Sequence, residues 1–556
     1  MNNINIYTWQ SLLRPPLPDS ELPEIPDLPL RSLCMANEIV SFSAIISVDT
    51  PVINVTLKFS DLKNDKNVIS SENIKVFRVG TAYTPEAGLI CDPLYEFESL
   101  DINKNIPIFI NIKVPKDIPA GLYTGKILVK HNGKTKAEKN IQLQVADVCL
   151  KDVNDWSFFL SVWMNPGAVA RFNNLECWSD EHFAALEPYI KDLALHGQKT
   201  VVVPISYHPW GNQTYTPYPN IIKCIKIDNK YEFDFTLFDR YVKLHEKYNI
   251  NKYIHCYSLV QAPGDTNKCV LEFCDAAIGE KVLIETEFGD DEYKKYWISF
   301  LKAFKEHLDN LNWLDKTYLA FDEKPPELMK EIFMFIFDNA SDFRISLAAN
   351  TKSDINNQFD DLSNLFAVDV MGEIEKSPTQ RAGSAVSELF GDDNMESIEE
   401  DGLAEDYITT FYVCCSPQHP NTFVHSPLIE SRMIGMLAIA GGYDGFLRWS
   451  YNDWNEDPIA NAKHSDWPSG DCFFVYPSKN GPVSSLRWEQ LRNGIQDAEL
   501  AFLASRNLTE AEEVVDYEQA VSLATRQIDG RMKSPGDIEL ARQILIPIAE
   551  KEKHNR

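Results

Sequence analysis

The sequence predicts a three-part chain. An all-β sandwich is expected over residues 1–150, an α/β (β/α)8 barrel of the TIM type over 151–505, and a C-terminal helical appendage over 506–556. Three observations lead there. Segments rich in Val, Ile and Phe, several alternating in period two, fill residues 39–145 between turn residues. Eight short apolar runs then alternate with stretches of helical periodicity. The end of the chain reads as helix throughout.

Residues 14–30 hold six prolines and are expected to lie extended over the surface. Strands follow at 39–48, 52–59, 74–79, 108–114, 122–129 and 141–145, with turns at Asp49-Thr50-Pro51, Asp65-Lys66-Asn67 and Asn132-Gly133. This part carries no catalytic constellation, so packing or substrate gathering is its expected role. The eight later strands fall at 156–164, 199–205, 253–259, 317–321, 343–348, 365–371, 407–414 and 445–449. Helices are expected at 182–195 (capped by Ser179 and closed by Gly197), 235–248, 292–311, 327–339, 355–362 and 427–440. Ser484 or Ser485 caps a further run through Ser505, and helices at 509–528 and 537–549 end the chain. An open doubly wound sheet is the structural alternative, but no GxGxxG follows any strand.

Composition narrows the function. The 556 residues carry 53 Lys+Arg against 82 Asp+Glu, a formal net charge of −29. That balance argues against nucleic acid and against an anionic membrane surface as partners. A hydrophobic fraction of 44% excludes global disorder. No uncharged apolar run is long enough for a membrane span. The N-terminus lacks a basic region ahead of an apolar core, so a cytoplasmic protein is expected. The 11 cysteines form no CxxC pair and read as reduced thiols, and the adjacent Cys414 and Cys415 cannot form an ordinary unstrained disulfide.

In a barrel the functional residues sit at the C-terminal ends of the strands. Those positions offer Trp163, His208, Trp210, Tyr257, Asp322-Glu323, Tyr412, and Arg448 through Asp453. Sugars need rings to stack on and polar groups for their hydroxyls. Glycosidic cleavage needs an acid on the leaving oxygen and a second group for the oxocarbenium-like transition state. Asp322 and Glu323, after the apolar run TYLAF and before Pro325-Pro326, are the candidate catalytic pair. A buried carboxylate there is costly unless used or paired. Adjacent residues cannot straddle a glycosidic bond, which favours an acid plus a carboxylate assisting the substrate's own 2-acetamido group. The candidate substrate-binding residues are Tyr412, Trp449, Asn452, Asp453, His208, Trp210, Trp163 and Tyr257. Arg448, Asp471 and Asp497 read as structural. No HExxH, zinc-type His/Cys spacing, GxSxG or P-loop is present, so no metal site or rival hydrolase chemistry is expected.

The run GFLRWSYNDWNEDP (445–458), the later Gly470-Asp471, Phe474, Tyr476, Arg487 and the stretch from Leu491 to Asp497, together with TYLAFDEKPPE and PKDIPAGLYTGKI (115–127), resemble glycoside hydrolase family 123 over nearly the whole chain. The resemblance implies a β-N-acetylgalactosaminidase-type enzyme that retains configuration through an oxazolinium intermediate. By the same resemblance, Asp322 orients and polarises the acetamido group, and Glu323 protonates the leaving oxygen and then activates water, a role that needs a raised pKa. Tyr412 is expected at the acetamide carbonyl and Trp449 under the sugar. No metal or organic cofactor is implied, and the partner is an oligosaccharide or glycoside. The rivals are a glycosidase for another sugar and a catalytically inactive glycan-binding protein. Residues 261–291 and 377–406 match nothing in the family pattern and leave the sugar open.

Overall fold

The computed structural model describes residues 3–261, 267–349, 368–373, 408–528, 531–532 and 534–550. The expected helix at 355–362 and the loop 377–406 lie outside the described residues. The N-terminal part is two sheets face to face. One orders Ile4–Trp9, Ile39–Val48, Asn105–Lys113, Ile74–Thr84 and Gly88–Tyr95; the other orders Leu30–Ala36, Lys134–Cys149, Gly121–His131, Val52–Phe59 and Leu100–Ile102. Their inner faces share a core that includes Ile46, Val55, Ile108, Ile110, Val129 and Leu143. The Asn132-Gly133 turn has positive φ at both residues (51° and 72°), the geometry a two-residue hairpin needs. Ile4–Trp9, Leu30–Ala36 and Gly88–Tyr95 were not anticipated. All three are edge strands, with one-sided pairing and a weaker apolar pattern, and Pro93 is tolerated at such an edge.

The larger part is built on eight strands, numbered here β1 (Phe159–Val162), β2 (Thr200–Pro204), β3 (Tyr253–Tyr257), β4 (Thr317–Phe321), β5 (Arg344–Ala349), β6 (Val368–Glu373), β7 (Thr409–Tyr412) and β8 (Gly445–Arg448). They form one sheet in the order β1-β8-β7-β6-β5-β4-β3-β2, and every pairing is parallel. The two edge strands meet again through a parallel bridge between Leu160 and Gln198, where the Lys199 N–H donates to the Leu160 carbonyl at 2.9 Å. Among the described residues the helices between strands are α1 (Pro166–Asn173), α2 (Asp180–Leu195), α3 (Thr236–Glu246), α4 (Asp291–Leu311), α5 (Pro326–Ala340) and α6 (Leu428–Gly441). Ser179 caps α2 as expected, accepting from the His182 N–H, and Gly197 follows the helix end with φ +90°. Two hairpins escaped the sequence reading: Lys223–Ile227 with Lys230–Asp234, and Lys268–Asp275 with Glu280–Glu287. Together they make a four-stranded side sheet.

Helix α7 (Leu486–Ser505), capped by Ser485, is the central strut. It is buried almost along its whole length although it carries Arg487, Glu489, Arg492, Asp497 and Glu499. Each of these has a partner. Arg487 pairs with Asp92 of the sandwich, Arg492 with Glu489, and Asp497 with Arg432 and Arg542, while Glu499 accepts the Phe158 N–H at 2.7 Å. Gln496 grips the backbone of Ile39 on both its N–H and its carbonyl, at 2.8 and 3.0 Å. A Cβ on Gly494 would stand 2.0 Å from the Arg432 carbonyl oxygen, and one on Gly435 2.1 Å from the Gly494 carbonyl oxygen. The backbones of α6 and α7 therefore touch only because both positions are glycine. Helices α8 (Ala511–Thr525) and α9 (Pro535–Glu550) share a core with Met35, Ala146 and Val148 of the sandwich and with Leu500 of α7. The expected appendage packs on Met436 of α6 and on α7, and reaches the sandwich as well. Apolar faces on both sides of it explain the placement.

Candidate active site

Every residue of β4 is buried. Asp322 and Glu323 leave its C-terminal end, and Pro325 and Pro326 then start α5, with Pro326 at the first helical position where its missing N–H costs nothing. The strand and helix thus hold both carboxylates on one short turn. They open into a cavity of about 230 Å³. The Asp322 carboxylate accepts the Glu323 N–H at 3.0 Å. Tyr412, at the end of β7, donates its hydroxyl to Glu323 Oε1 at 2.7 Å. Tyr412 was expected at an acetamide carbonyl, but here its proton is directed to the carboxylate. Burial pushes its phenol well above the usual range, and the nearby Glu323 adds to that, so it stays a donor at any working pH.

Burial and the neighbouring Glu323 carboxylate push Asp322 up to about 7, against the pull of the Glu323 N–H, Lys324 and Trp210. The Asp322 carboxyl is therefore partly protonated near neutrality. Lys324 is buried and donates to the Gln261 carbonyl at 2.5 Å. Burial lowers its pKa while Asp322 supports its charge.

Trp163, Tyr412 and Trp449 line the cavity beside the carboxylates. The Trp449 indole N–H donates to Asp471 Oδ2 at 3.2 Å, and the other Asp471 oxygen pairs with Arg448 at 2.8 Å. Asp471 is 1% exposed; burial raises its pKa, and Arg448 and Trp449 oppose the shift. Arg448 and Asp471 are structural partners as expected, yet Asp471 also lines the cavity and orients Trp449. Trp467, its ring centroid 6.0 Å from that of Trp449 and edge-on to it, lines another wall and donates to the Gln213 carbonyl at 3.0 Å. Gln213, Cys414, Cys415 and Ser416 complete the rim. Of these, the sequence places only Cys414 at the end of a strand. Each arrives on a loop, and only the apolar character of Trp467 in a polar stretch signalled it.

Five of the eight expected binders do not line the cavity. Trp210 and Tyr257 pack on Trp163 with centroid distances of 5.1 and 4.7 Å, and form a buried aromatic layer beneath the site. Asn452 is fully buried; it accepts the Asn165 N–H at 2.7 Å and donates to the Asn165 carbonyl at 3.0 Å. Asp453 accepts the N–H groups of Tyr215 and Thr216 and the Asn165 amide. Burial pushes it up to about 7 against those bonds. Both residues spend their polar atoms on the protein, which removes them as hydroxyl binders. His208 stacks on Tyr207 at 4.0 Å, and burial lowers its pKa. Its backbone has a positive φ of +44°.

An acidic pair in a ring-walled cavity at the strand ends is the arrangement a glycosidase uses. The chain belongs to glycoside hydrolase family 123: the model of the family's catalytic domain matches residues 163–503, and that of its N-terminal domain matches residues 34–131. A search of curated proteins gave no match. Among solved structures, a family 123 glycoside hydrolase from Clostridium perfringens, studied for glycolipid glycan hydrolysis, is 22% identical with a TM-score of 0.77 and covers 100% of this chain and 98% of its own. A Bacteroides ovatus family 5 xyloglucanase is 9% identical with a TM-score of 0.30, covering 84% and 98%. A family 2 β-galacturonidase from Eisenbergiella tayi is 10% identical with a TM-score of 0.33, covering 82% and 69%.

Proposed function

We propose that the parallel sheet closes as a (β/α)8 barrel and that its cavity removes β-linked N-acetylgalactosamine by retaining, substrate-assisted hydrolysis. The Leu160–Gln198 bridge between the edge strands supports closure. One observation carries the chemistry: Asp322 and Glu323 share a single turn, tied by the 3.0 Å bond between them. They approach a bound sugar from one side and cannot serve as nucleophile and opposing acid across its glycosidic bond.

In this reading Asp322 takes the acetamide N–H. Its carboxylate holds the group under C1 and stabilises the positive charge of the oxazolinium ion as the acetamide oxygen attacks. Glu323, steered by Tyr412, protonates the leaving oxygen and afterwards takes a proton from water. Trp449, fixed by Asp471, supports the sugar face. The test is release of nitrophenol from the β-N-acetylgalactosaminide, with the glucosaminide and the plain galactoside as controls. Turnover that needs the 2-acetamido group and is lost in Glu323→Gln is expected. Equal turnover of the plain galactoside would refute assistance by the substrate.

A further inference from the structure

We propose that Cys414 and Cys415 form a two-thiol chelation site at the rim of the cavity, for trivalent arsenic or another soft centre satisfied by two sulfurs, and that filling it blocks the cavity. The blockade rests on the reading of that cavity as the sugar site; the chelation does not.

The two Sγ atoms lie 3.9 Å apart, and both residues line the cavity that holds Asp322 and Glu323. Cys415 is exposed and Cys414 partly so, which gives a reagent access from solvent. The turn that carries them is braced. The Cys414 N–H donates to the Ser416 carbonyl at 3.0 Å. The buried Asn421 amide donates to the carbonyls of Cys414 and Pro417 at 2.8 and 2.7 Å. Glu430 accepts the Asn421 N–H and bonds His419. Paired thiols on a fixed turn lose little freedom when bridged.

The ligand count selects the chemistry. Among the described residues no group of three His, Cys, Asp or Glu could hold a metal ion. Tetrahedral zinc wants four protein ligands in a structural site, so it fits poorly. An arsenic(III) centre with one organic substituent needs two sulfurs. With phenylarsine oxide, two As–S bonds form and the arsenic–oxygen bonds break. The oxygen leaves as water with both thiol protons, and no atom changes oxidation state. Exposed Cys415 attacks first as the thiolate, and Cys414, whose pKa is raised by its contact with Cys415 and by burial, closes the ring second.

The experiment treats the full chain with phenylarsine oxide and reads intact mass and glycoside turnover in parallel. One phenylarsenic unit per chain is expected, with loss of two thiol hydrogens and loss of turnover. 2,3-Dimercaptopropanol should reverse both, and a monothiol should not. Cys415→Ser should lose the adduct and the sensitivity, measured against its own untreated activity; Cys414→Ser is the second variant. No adduct, or an adduct that survives in both variants, would overturn the site. An adduct with turnover retained would overturn the blockade, and with it the placement of the sugar at this rim, while leaving the chelation standing.

Discussion

Replacing Asp322 with asparagine should make the fold more stable above neutral pH, although it should remove activity. The unfolded carboxylate ionises near 3.8, and in the fold it is pushed up to about 7 by burial and by Glu323. Between those values the folded state keeps a proton that the unfolded state has released. Stability therefore falls as pH rises from about 4 to about 7 and stays at the lower level beyond. About three pKa units at about 1.36 kcal/mol each set a ceiling near 4 kcal/mol. Asp322 is partly open to cavity water, so an effect of about 1–3 kcal/mol is expected. Asparagine keeps the acceptor for the Glu323 N–H, now at 3.0 Å, and carries no charge. The assay is thermal and urea unfolding of wild type and Asp322→Asn across that range. The two should match near pH 4, and the variant should be the more stable near pH 8. A variant less stable than wild type at high pH, or a gap that ignores pH, would refute the argument. The design would be a site that holds a destabilising charge for use in catalysis.

Glu323→Gln should lower kcat about 10²–10⁴-fold with the fold intact by circular dichroism, the usual range for a lost general acid. Tyr412→Phe removes a hydrogen bond to a carboxylate worth about 1.5–3 kcal/mol, so kcat should fall about 10–100-fold with KM little changed. Arg448→Met leaves Asp471 buried without its cation and should cost about 3–5 kcal/mol in urea unfolding, while also freeing Trp449, whose fluorescence reports the change. Gly494→Ala forces α6 and α7 apart and should lower stability by about 1–3 kcal/mol or more, read as loss of soluble protein or a lower melting temperature.

Local pattern carried much of the architecture. The strand–helix alternation, the caps at Ser179 and Ser485, the Asn132-Gly133 turn and the carboxylate pair past TYLAF all depend on residues within a few positions of one another. Periodicity and capping are short-range physics, so a single sequence records them. The side-sheet hairpins were invisible because their strands are interrupted by charges, as in KYEFD and EKVLIETE.

Helix α7 shows where sequence reasoning stops. Asp497 reads as structural from the sequence, but the partners of the helix's charges, Asp92, Arg432 and Arg542, lie far away in the chain. The site divides the same way. Asp322, Glu323, Trp163, Tyr412 and Trp449 were legible as strand-end chemistry, and the fold brings them together. Asn452 and Asp453, next in the same motif, look like binders by adjacency, yet they turn away to hold Asn165 and the 215–216 backbone. Asp471, Trp467 and the Cys414-Cys415 pair reach the cavity on loops. Sequence alone determined the strand–helix alternation of the larger part and which strand end carries the acids. Tertiary structure alone decided which side chains face the cavity and which charges are buried, because loop direction and ion pairing are set by contacts between residues distant in the chain.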